Sequence, residues 1–337
     1  MKILENISLK QYNTFSIEQK ARFFVAVSSL DDLKAALKWA KDEQLEVLIL
    51  GGGSNLLLTR DFPGLVIRIE LKGIAVLKEN SEEVLAEVGA GEVWQDWVQY
   101  TIDKGWAGIE NLSLIPGTVG ASPMQNIGAY GVEIKEVFHS LKALNRVTLE
   151  ITEFDAESCN FGYRESVFKH ELKGQFVITS VVFSLKKQAT LKLEYGAIRE
   201  TLEAKGITNP GIRDVSQAVI EIRQSKLPNP KEIGNAGSFF KNPTISEEHF
   251  ATLKNAFPTI PGYPNEEGVK VPAGWLIEQA GWKGKRQGEV GVHAKQALVL
   301  VNFGNGKGEE IKNLASEIQK SIQSKFGIEL QPEVNFI

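Results

Sequence analysis

The stretch PGTVGASPMQNIGAYG, residues 116–131, decides how the rest of the chain is read. It holds four glycines, two prolines, two alanines, a serine and a threonine, and almost no bulk. Residues without side chains let backbone N–H groups come close to a large ligand. The same composition excludes a core strand or a stable helix. Thr118, Ser122, Gln125 and Asn126 are uncharged hydrogen-bonders, suited to a neutral ring edge or to a phosphate held by backbone donors. An ordinary irregular connection is the alternative. A connection this long inside an enzyme-sized chain is usually functional or disordered, and the apolar Val119, Met124, Ile127 and Tyr130 argue against disorder. Ligand binding is the expectation.

Upstream, a buried strand at 47–50 runs straight into Gly51-Gly52-Gly53-Ser54-Asn55. A strand, a glycine turn and a polar cap present backbone N–H groups to a phosphate. This is not the dinucleotide fingerprint G-x-G-x-x-G, because apolar structure resumes at once in Leu56-Leu57-Leu58 and no long helix follows. A tight strand-to-strand turn competes with the phosphate reading. Residues 23–27, 65–69 and 84–88 read as strands. Ser28 or Ser29 caps a helix with Leu33, Leu37 and Ala40 on one face. Residues 92–103 read as a second helix, with Trp94, Trp97 and Val98 inward and Gly105 as its stop.

Downstream, 141–152 and 176–185 alternate as strands on either side of Cys159-Asn160-Phe161-Gly162-Tyr163-Arg164. Helices fit 197–205 and 215–225. Lys226-Leu227-Pro228-Asn229-Pro230 breaks the pattern and is the linker candidate. The final third has an αβ rhythm: Ser246 opens a helix, 274–280 forms another, 297–303 is a buried strand, and a helix through Lys325 precedes a last strand at 334–337. Gly304-Asn305-Gly306-Lys307-Gly308 lacks the spacing and the Ser or Thr of a P-loop, and Glu309 and Glu310 would repel phosphate there, so it reads as a turn.

The totals bound the class. A chain of 337 residues suggests two or three domains. With 42% apolar and 24% charged residues it is a globular chain with a sizeable core. A net charge of −4 gives no basic footprint for nucleic acid. The single cysteine, Cys159, excludes an internal disulfide framework and a cysteine zinc site, and the four histidines show no metal-ligand spacing. No apolar run approaches the ~20 residues of a membrane helix, and MKILENISLKQYNTF has no secretory apolar region. The expectation is a soluble cytoplasmic protein without metal, nucleic acid or membrane partner.

Three places combine reactive side chains with unusual backbone: Tyr163-Arg164 beside Gly162, Ser238 within Gly234-Asn235-Ala236-Gly237-Ser238-Phe239-Phe240-Lys241-Asn242-Pro243, and Glu333 within Gln331-Pro332-Glu333-Val334. Each has an ordinary reading when taken alone. Arg164 is a solvated loop charge, Ser238 a turn or cap serine, and Glu333 an exposed strand end. Ser238 is not in a G-x-S-x-G elbow, because Ala236 and Phe240 stand where that motif needs glycine.

Taken together and in order, these motifs resemble the UDP-N-acetylenolpyruvoylglucosamine reductase family, flavoenzymes of peptidoglycan precursor synthesis, over nearly the whole chain. The motifs concerned are Gly51–Asn55, Pro116–Ala121, Asn126–Gly131, Tyr163-Arg164, Gly237–Pro243 and Pro332-Glu333-Val334. The first two resemble the flavin fold shared with vanillyl-alcohol oxidase-like enzymes, whereas the Ser, Arg and Glu motifs are particular to the reductases. Leu193-Glu194-Tyr195-Gly196 resembles the tyrosine-bearing segment of the longer, type I form. Asn335 departs from the pattern: relatives often carry a basic residue there, so a minor flavin contact is absent or replaced.

The resemblance implies an α+β, multi-domain flavoenzyme with a two-lobed vanillyl-alcohol oxidase/PCMH-type FAD-binding fold and a C-terminal αβ substrate domain. Lobe one is implied at 1–70 with the strand from about 326 to 337, lobe two at 71–227, and the substrate domain at 228–325. The implied activity is reduction of the enolpyruvyl ether of UDP-N-acetylglucosamine to UDP-N-acetylmuramate, by a monomer holding non-covalent FAD, with NADPH as hydride donor. Cofactor contacts are implied at Gly51, Gly52, Gly53, Ser54 and Asn55, then at Pro116, Gly117, Thr118, Gly120, Ala121, Ser122, Gln125, Asn126, Gly128 and Gly131, and at Arg223. Ser238 matches the general acid. Arg164 and Glu333 match the pair that stabilises the developing enolate, which requires a protonated Glu333. Lys226 and Asn242 match diphosphate and substrate contacts, Tyr195 the aromatic that closes over substrate, and Tyr163 and Gln279 further substrate contacts. A flavin oxidase of the vanillyl-alcohol oxidase type is the alternative, and a nucleotide-sugar binding module is another. The contexts of Ser238 and Glu333 argue against the first, and the flavin cradle argues against the second.

Overall fold

Hydrophobic repeats of two residues in strands and 3.6 in helices build the computed structural model, which describes residues 1–337, into two units. The first comprises Met1–Ile7, Ala21–Gly52 and Pro63–Ser225; the second comprises Ser8–Lys20, Gly53–Phe62 and Lys226–Ile337.

The first unit contains a five-stranded antiparallel sheet in the order Ile151–Asp155, Phe138–Asn145, Phe176–Lys186, Glu83–Gly89, Ile74–Glu79. Strand Glu83–Gly89 turns Val84, Ala86 and Val88 into the core at every second residue. Helix Trp94–Lys104 buries Trp94, Trp97, Val98, Thr101 and Ile102 along one stripe. The rings of Trp97 and Trp94 lie 5.5 Å and 6.0 Å from that of Phe183. As the sequence predicts, Gly105 ends this helix, in the left-handed conformation at φ 73°.

The segment 90–94, which ends in the first residue of this helix, anchors the glycine-rich loop. Gly117 O accepts from Trp94 N at 3.1 Å, Val119 N donates to Glu92 O at 2.8 Å, and Gly120 N donates to Ala90 O at 2.9 Å. Each such bond contributes about 1 kcal/mol, whereas a buried tryptophan contributes roughly 5 kcal/mol from the area it removes from water.

A second sheet of this unit has the order Leu4–Ser8, Lys20–Val27, Phe62–Ile69, Val47–Leu50. Its last two strands pair in parallel, Val47 opposite Leu65. Helix Leu30–Asp42 buries Leu33, Ala36, Leu37 and Ala40, and Ser29 Oγ accepts from Asp32 N at 3.1 Å as its cap. Helices Ile198–Ala204 and Ile212–Lys226 bury Ile198, Leu202, Val215, Ala218, Val219 and Ile222 together. Cys159 is buried, and burial, with a smaller contribution from Asp155, pushes its thiol up to about 12.

The second unit is built on a sheet in the order Gly234–Ser238, Val299–Asn302, Val290–Val292, Arg286–Gln287. Helix Gly308–Phe326 buries Ile311, Leu314, Ala315, Ile318, Ile322 and Phe326. The glycine segment before it is the expected turn. Asn302 Oδ1 accepts from Gly304 N at 3.0 Å and Gly306 N at 2.8 Å, and Glu310 Oε2 accepts from Lys307 N at 2.7 Å. Thr244–Ile245, Gly268–Lys270 and Tyr263–Asn265 form a small sheet, and Asn335–Phe336 pairs in parallel with Leu56–Leu57. No helix is long and apolar enough to cross a membrane.

Candidate active site

In the first unit the two glycine segments meet. A Cβ on Gly51 would lie 2.6 Å from Thr118 Oγ1, and one on Gly52 2.7 Å from Gly117 Cα. A Cβ on Gly120 would lie 2.5 Å from Ala90 Cβ, and one on Gly128 3.0 Å from Arg164 Nη1. What forbids a side chain at Gly120 and Gly128 is the protein's own packing. Two of the predicted cofactor residues also turn their side chains inward. Ser122 Oγ donates to Val119 O at 2.7 Å. Asn126 Nδ2 donates to Gly162 O at 3.0 Å and Glu133 Oε2 at 3.1 Å, while its Oδ1 accepts from Lys135 N at 3.1 Å. These side chains hold the shape of the loop.

The bond from Asn126 draws the turn at 162–166 onto the loop. Ser166 Oγ donates to Met124 O at 2.7 Å, and Arg164 Nη2 donates to Gly128 O at 2.6 Å. Arg164 has a left-handed φ of 59°, a conformation that costs a non-glycine residue of order 1 kcal/mol. Its guanidinium lies 5.6 Å from the centre of the exposed Tyr163 ring.

Arg223, on helix Ile212–Lys226, is half-buried, and its Nε is buried with no hydrogen-bond partner. Burial holds this guanidinium below its ordinary value, with Tyr130 opposing the shift and Arg164 adding to it. Burial also raises the Tyr130 hydroxyl, with Arg223 opposing and Tyr195 adding. Arg223 thus lies within electrostatic reach of Tyr130 and Arg164, and Tyr130 of Tyr195, in one patch. A buried donor left without an acceptor costs about 1–3 kcal/mol, so the patch favours a ligand that brings acceptor atoms.

In the second unit, Ser238 ends strand Gly234–Ser238. Asn235 pairs with Val301 and Ser238 with Val299, so an extra residue bulges between them. Gly237 takes φ 71° in open space, which swings Ser238 out to an exposed position while Phe239 and Phe240 stay 0% and 1% exposed. The Ser238 hydroxyl therefore sits at the rim of an apolar wall. Glu333 runs alongside: its N donates to Phe239 O at 2.8 Å, and Lys241 N donates to Gln331 O at 2.9 Å. Asn55 Nδ2 donates to Glu333 O at 3.2 Å, and Asn55 O accepts from both Asn335 N at 3.1 Å and Asn335 Nδ2 at 3.0 Å. The glycine turn thereby braces the extended segment that carries Glu333, just before strand Asn335–Phe336. Gly53 is required within that turn, since at φ 63° its Cβ would lie 1.9 Å from Tyr12 O.

The remaining predicted residues take plainer positions. Lys226 is exposed at the end of its helix. Asn242 Oδ1 accepts from Ala273 N at 3.0 Å, at the start of helix Ala273–Gln279. Gln279 ends that helix, exposed, and its carbonyl accepts from Lys325 Nζ. Sequence reasoning missed Asn111 and Asn302, buried amides whose partners lie on distant segments and which no motif marks.

A glycine-lined loop pair and an unfilled buried guanidinium donor fit a flavin dinucleotide, which presents a diphosphate and a ring edge rich in acceptors. One family model, described as an FAD binding domain, matches residues 21–149. Another, described as the C-terminal domain of UDP-N-acetylenolpyruvoylglucosamine reductase, matches residues 229–337. The UDP-N-acetylenolpyruvoylglucosamine reductase of Flavobacterium johnsoniae is 54% identical and covers 100% of both chains. That of Pseudomonas aeruginosa is 49% identical over 99% of each. The crystal structure of the reductase from Thermus caldophilus superposes with a TM-score of 0.69 at 23% identity, covering 100% of this chain and 99% of that one. The 6-hydroxy-D-nicotine oxidase of Arthrobacter nicotinovorans superposes at 0.50 and 13% identity, over 97% and 86%.

Fold and site define a flavoenzyme of the α+β class, with a PCMH-type FAD-binding fold and a C-terminal αβ domain. The chain belongs to the UDP-N-acetylenolpyruvoylglucosamine reductase family.

Proposed function

We propose that this chain reduces the enolpyruvyl ether of UDP-N-acetylglucosamine to UDP-N-acetylmuramate, the FAD- and NADPH-dependent step of peptidoglycan precursor synthesis, with Ser238 as proton donor. Bound FAD would supply hydride-transfer chemistry between NADPH and the terminal vinyl carbon. The chain's own residues supply the proton, the charge stabilisation and the grip on substrate. Ser238 Oγ protonates the vinyl carbon next to the carboxylate, a general-acid role worth typically ~10²–10⁴ in rate. Arg164 offers a cation to that carboxylate, and a protonated Glu333 donates to the developing enolate. Lys226 serves the diphosphate as a point charge. Asn242, Gln279, Tyr163 and Tyr195 hold the rest of the UDP-sugar.

Gly51 to Asn55, the 116–131 loop and Arg223 hold the cofactor. FAD lobes at 1–70 and 71–227, a substrate domain at 228–325, a cytoplasmic location and a monomeric state belong to the same reading. The observation that carries it is the bulge that turns Ser238 outward beside the segment of Glu333. The test uses colour. The purified protein should be yellow and should bleach with NADPH in the absence of air. The enolpyruvyl UDP-sugar should then restore the colour far faster than oxygen does. Recovery in air as fast as with the sugar points to an oxidase and overturns the proposal.

A further inference from the structure

Tyr195 is 61% exposed, on a segment without helix or strand. Its packing against the glycine loop is reciprocal. A Cβ on Gly131 would lie 3.2 Å from Tyr195 Cβ, and one on Gly196 would lie 3.3 Å from the ring of Tyr130. Each tyrosine covers the other's glycine neighbour, and Leu191, Leu193 and Tyr130 pack against the buried cluster around Ile198 and Val219, but none of these contacts hydrogen-bonds the backbone of both segments.

Asn111 does. It is 1% exposed within the turn Glu110–Leu112, and its Nδ2 donates to Tyr130 O and to Lys192 O, each at 2.9 Å. Its Oδ1 is buried with no partner. An amide that leaves its acceptor unfilled at depth is retained for its two N–H donors. Tyr130 holds an uncommon left-handed φ of 50°, and Lys192 lies three residues before Tyr195. The turn beneath is rigid. Ser113 Oγ donates to Glu110 O at 2.7 Å and lies 2.8 Å from Ser216 Oγ, while Glu110 Oε2 accepts from Gly108 N at 2.7 Å.

We infer that Asn111 is a positioning residue for the reaction: its single amide ties the Tyr195 segment to the glycine loop and so holds Tyr195 at the height where it meets substrate. The inference rests on the reading of Tyr195 as a substrate contact. The side chain must supply two donors from one atom. Leucine supplies none in nearly the same volume, and serine supplies one.

The test is a cycle of Asn111→Leu, Tyr195→Ala and the double variant. Asn111→Leu should raise KM for the enolpyruvyl UDP-sugar about tenfold, within what the loss of its two hydrogen bonds supplies. FAD content and the rate of bleaching by NADPH should change less than about twofold. In the Tyr195→Ala background, Asn111→Leu should raise KM no further. Trypsin should cut the folded Asn111→Leu protein faster at Lys187 and Lys192. An unchanged KM, or effects that simply multiply, overturns the inference while leaving the Tyr195 reading intact. If Tyr195→Ala itself leaves KM unmoved, that reading falls and the inference with it. Val98→Ala, a core truncation in helix Trp94–Lys104, controls for stability: an equal rise in KM there also overturns the inference. Should Asn111→Leu fail to accumulate as flavoprotein, Asn111→Ser carries the same test with an intermediate rise expected, and no rise counts against it.

Discussion

A hydroxyl or a carboxyl does chemistry only where the backbone aims it, and the aiming of Ser238 and Glu333 is not legible in their neighbours alone. Gly237-Ser238 reads as a turn. It becomes an outward-facing strand end because Val299, sixty-one positions later, pairs with Ser238 after the bulge. Glu333 reads as a solvated strand end, yet it is half-buried and its N is bonded to Phe239 O. Family resemblance points to both residues, and the strand pairing shows why Ser238 faces outward. If Glu333 donates to the enolate, Glu333→Gln should keep part of the turnover, since an amide still donates, and Glu333→Ala should lose about 10²-fold or more. The measurement is reoxidation of NADPH-reduced enzyme by the enolpyruvyl UDP-sugar. Two variants that match the parent would make Glu333 a bystander. Asn126 teaches the opposite lesson. Its place in a ligand-like motif is legible, but its amide is spent on Gly162, Glu133 and Lys135.

At the scale of elements, periodicity was a good guide wherever one face is buried. Helices Leu30–Asp42 and Trp94–Lys104 lie within a few residues of their predicted bounds because their stripes and caps are both written in the chain. Prediction of one strand over 141–152 failed at Asn145. Its Oδ1 accepts from Val147 N and Thr148 N at 2.8 Å and 3.0 Å, turning the chain into the hairpin of Phe138–Asn145 and Ile151–Asp155. The edge strand Ile74–Glu79 left no signal because it is exposed along nearly its whole length and so does not alternate. The glycine loop was legible as a loop, but the reason for its glycines was not. Gly120→Ala places a methyl 2.5 Å from Ala90 Cβ, an overpacking that should cost about 1–3 kcal/mol. Lower thermal stability together with weaker FAD retention is expected. A variant with parental melting temperature and full flavin content would show that the loop is not held against Ala90.

The second unit is assembled from Ser8–Lys20, Gly53–Phe62 and Lys226–Ile337; the linker candidate at 226–230 marks the start of its last segment, whereas no composition shift announces the first two. The joins are hydrogen bonds between distant segments: Thr14 N donates to Gly53 O at 3.1 Å, Asn235 N to Thr14 O at 2.9 Å, and Asn302 Nδ2 to Phe15 O at 2.8 Å. The C-terminus belongs to this assembly, since Ile337 O accepts from Thr59 N and Thr59 Oγ1, each at 2.8 Å. Ending the chain after Gln331 should therefore abolish turnover and lower the melting temperature together; a shortened protein with full turnover would remove Glu333 from the mechanism. In the proposed reaction Ser238 delivers a proton and takes no part in flavin reduction, and anaerobic stopped-flow on Ser238→Ala separates the two half-reactions. Bleaching by NADPH should proceed at nearly the parental rate, while reoxidation by the enolpyruvyl UDP-sugar should slow by ~10²–10⁴. Equal losses in both half-reactions, or none in the second, would contradict it.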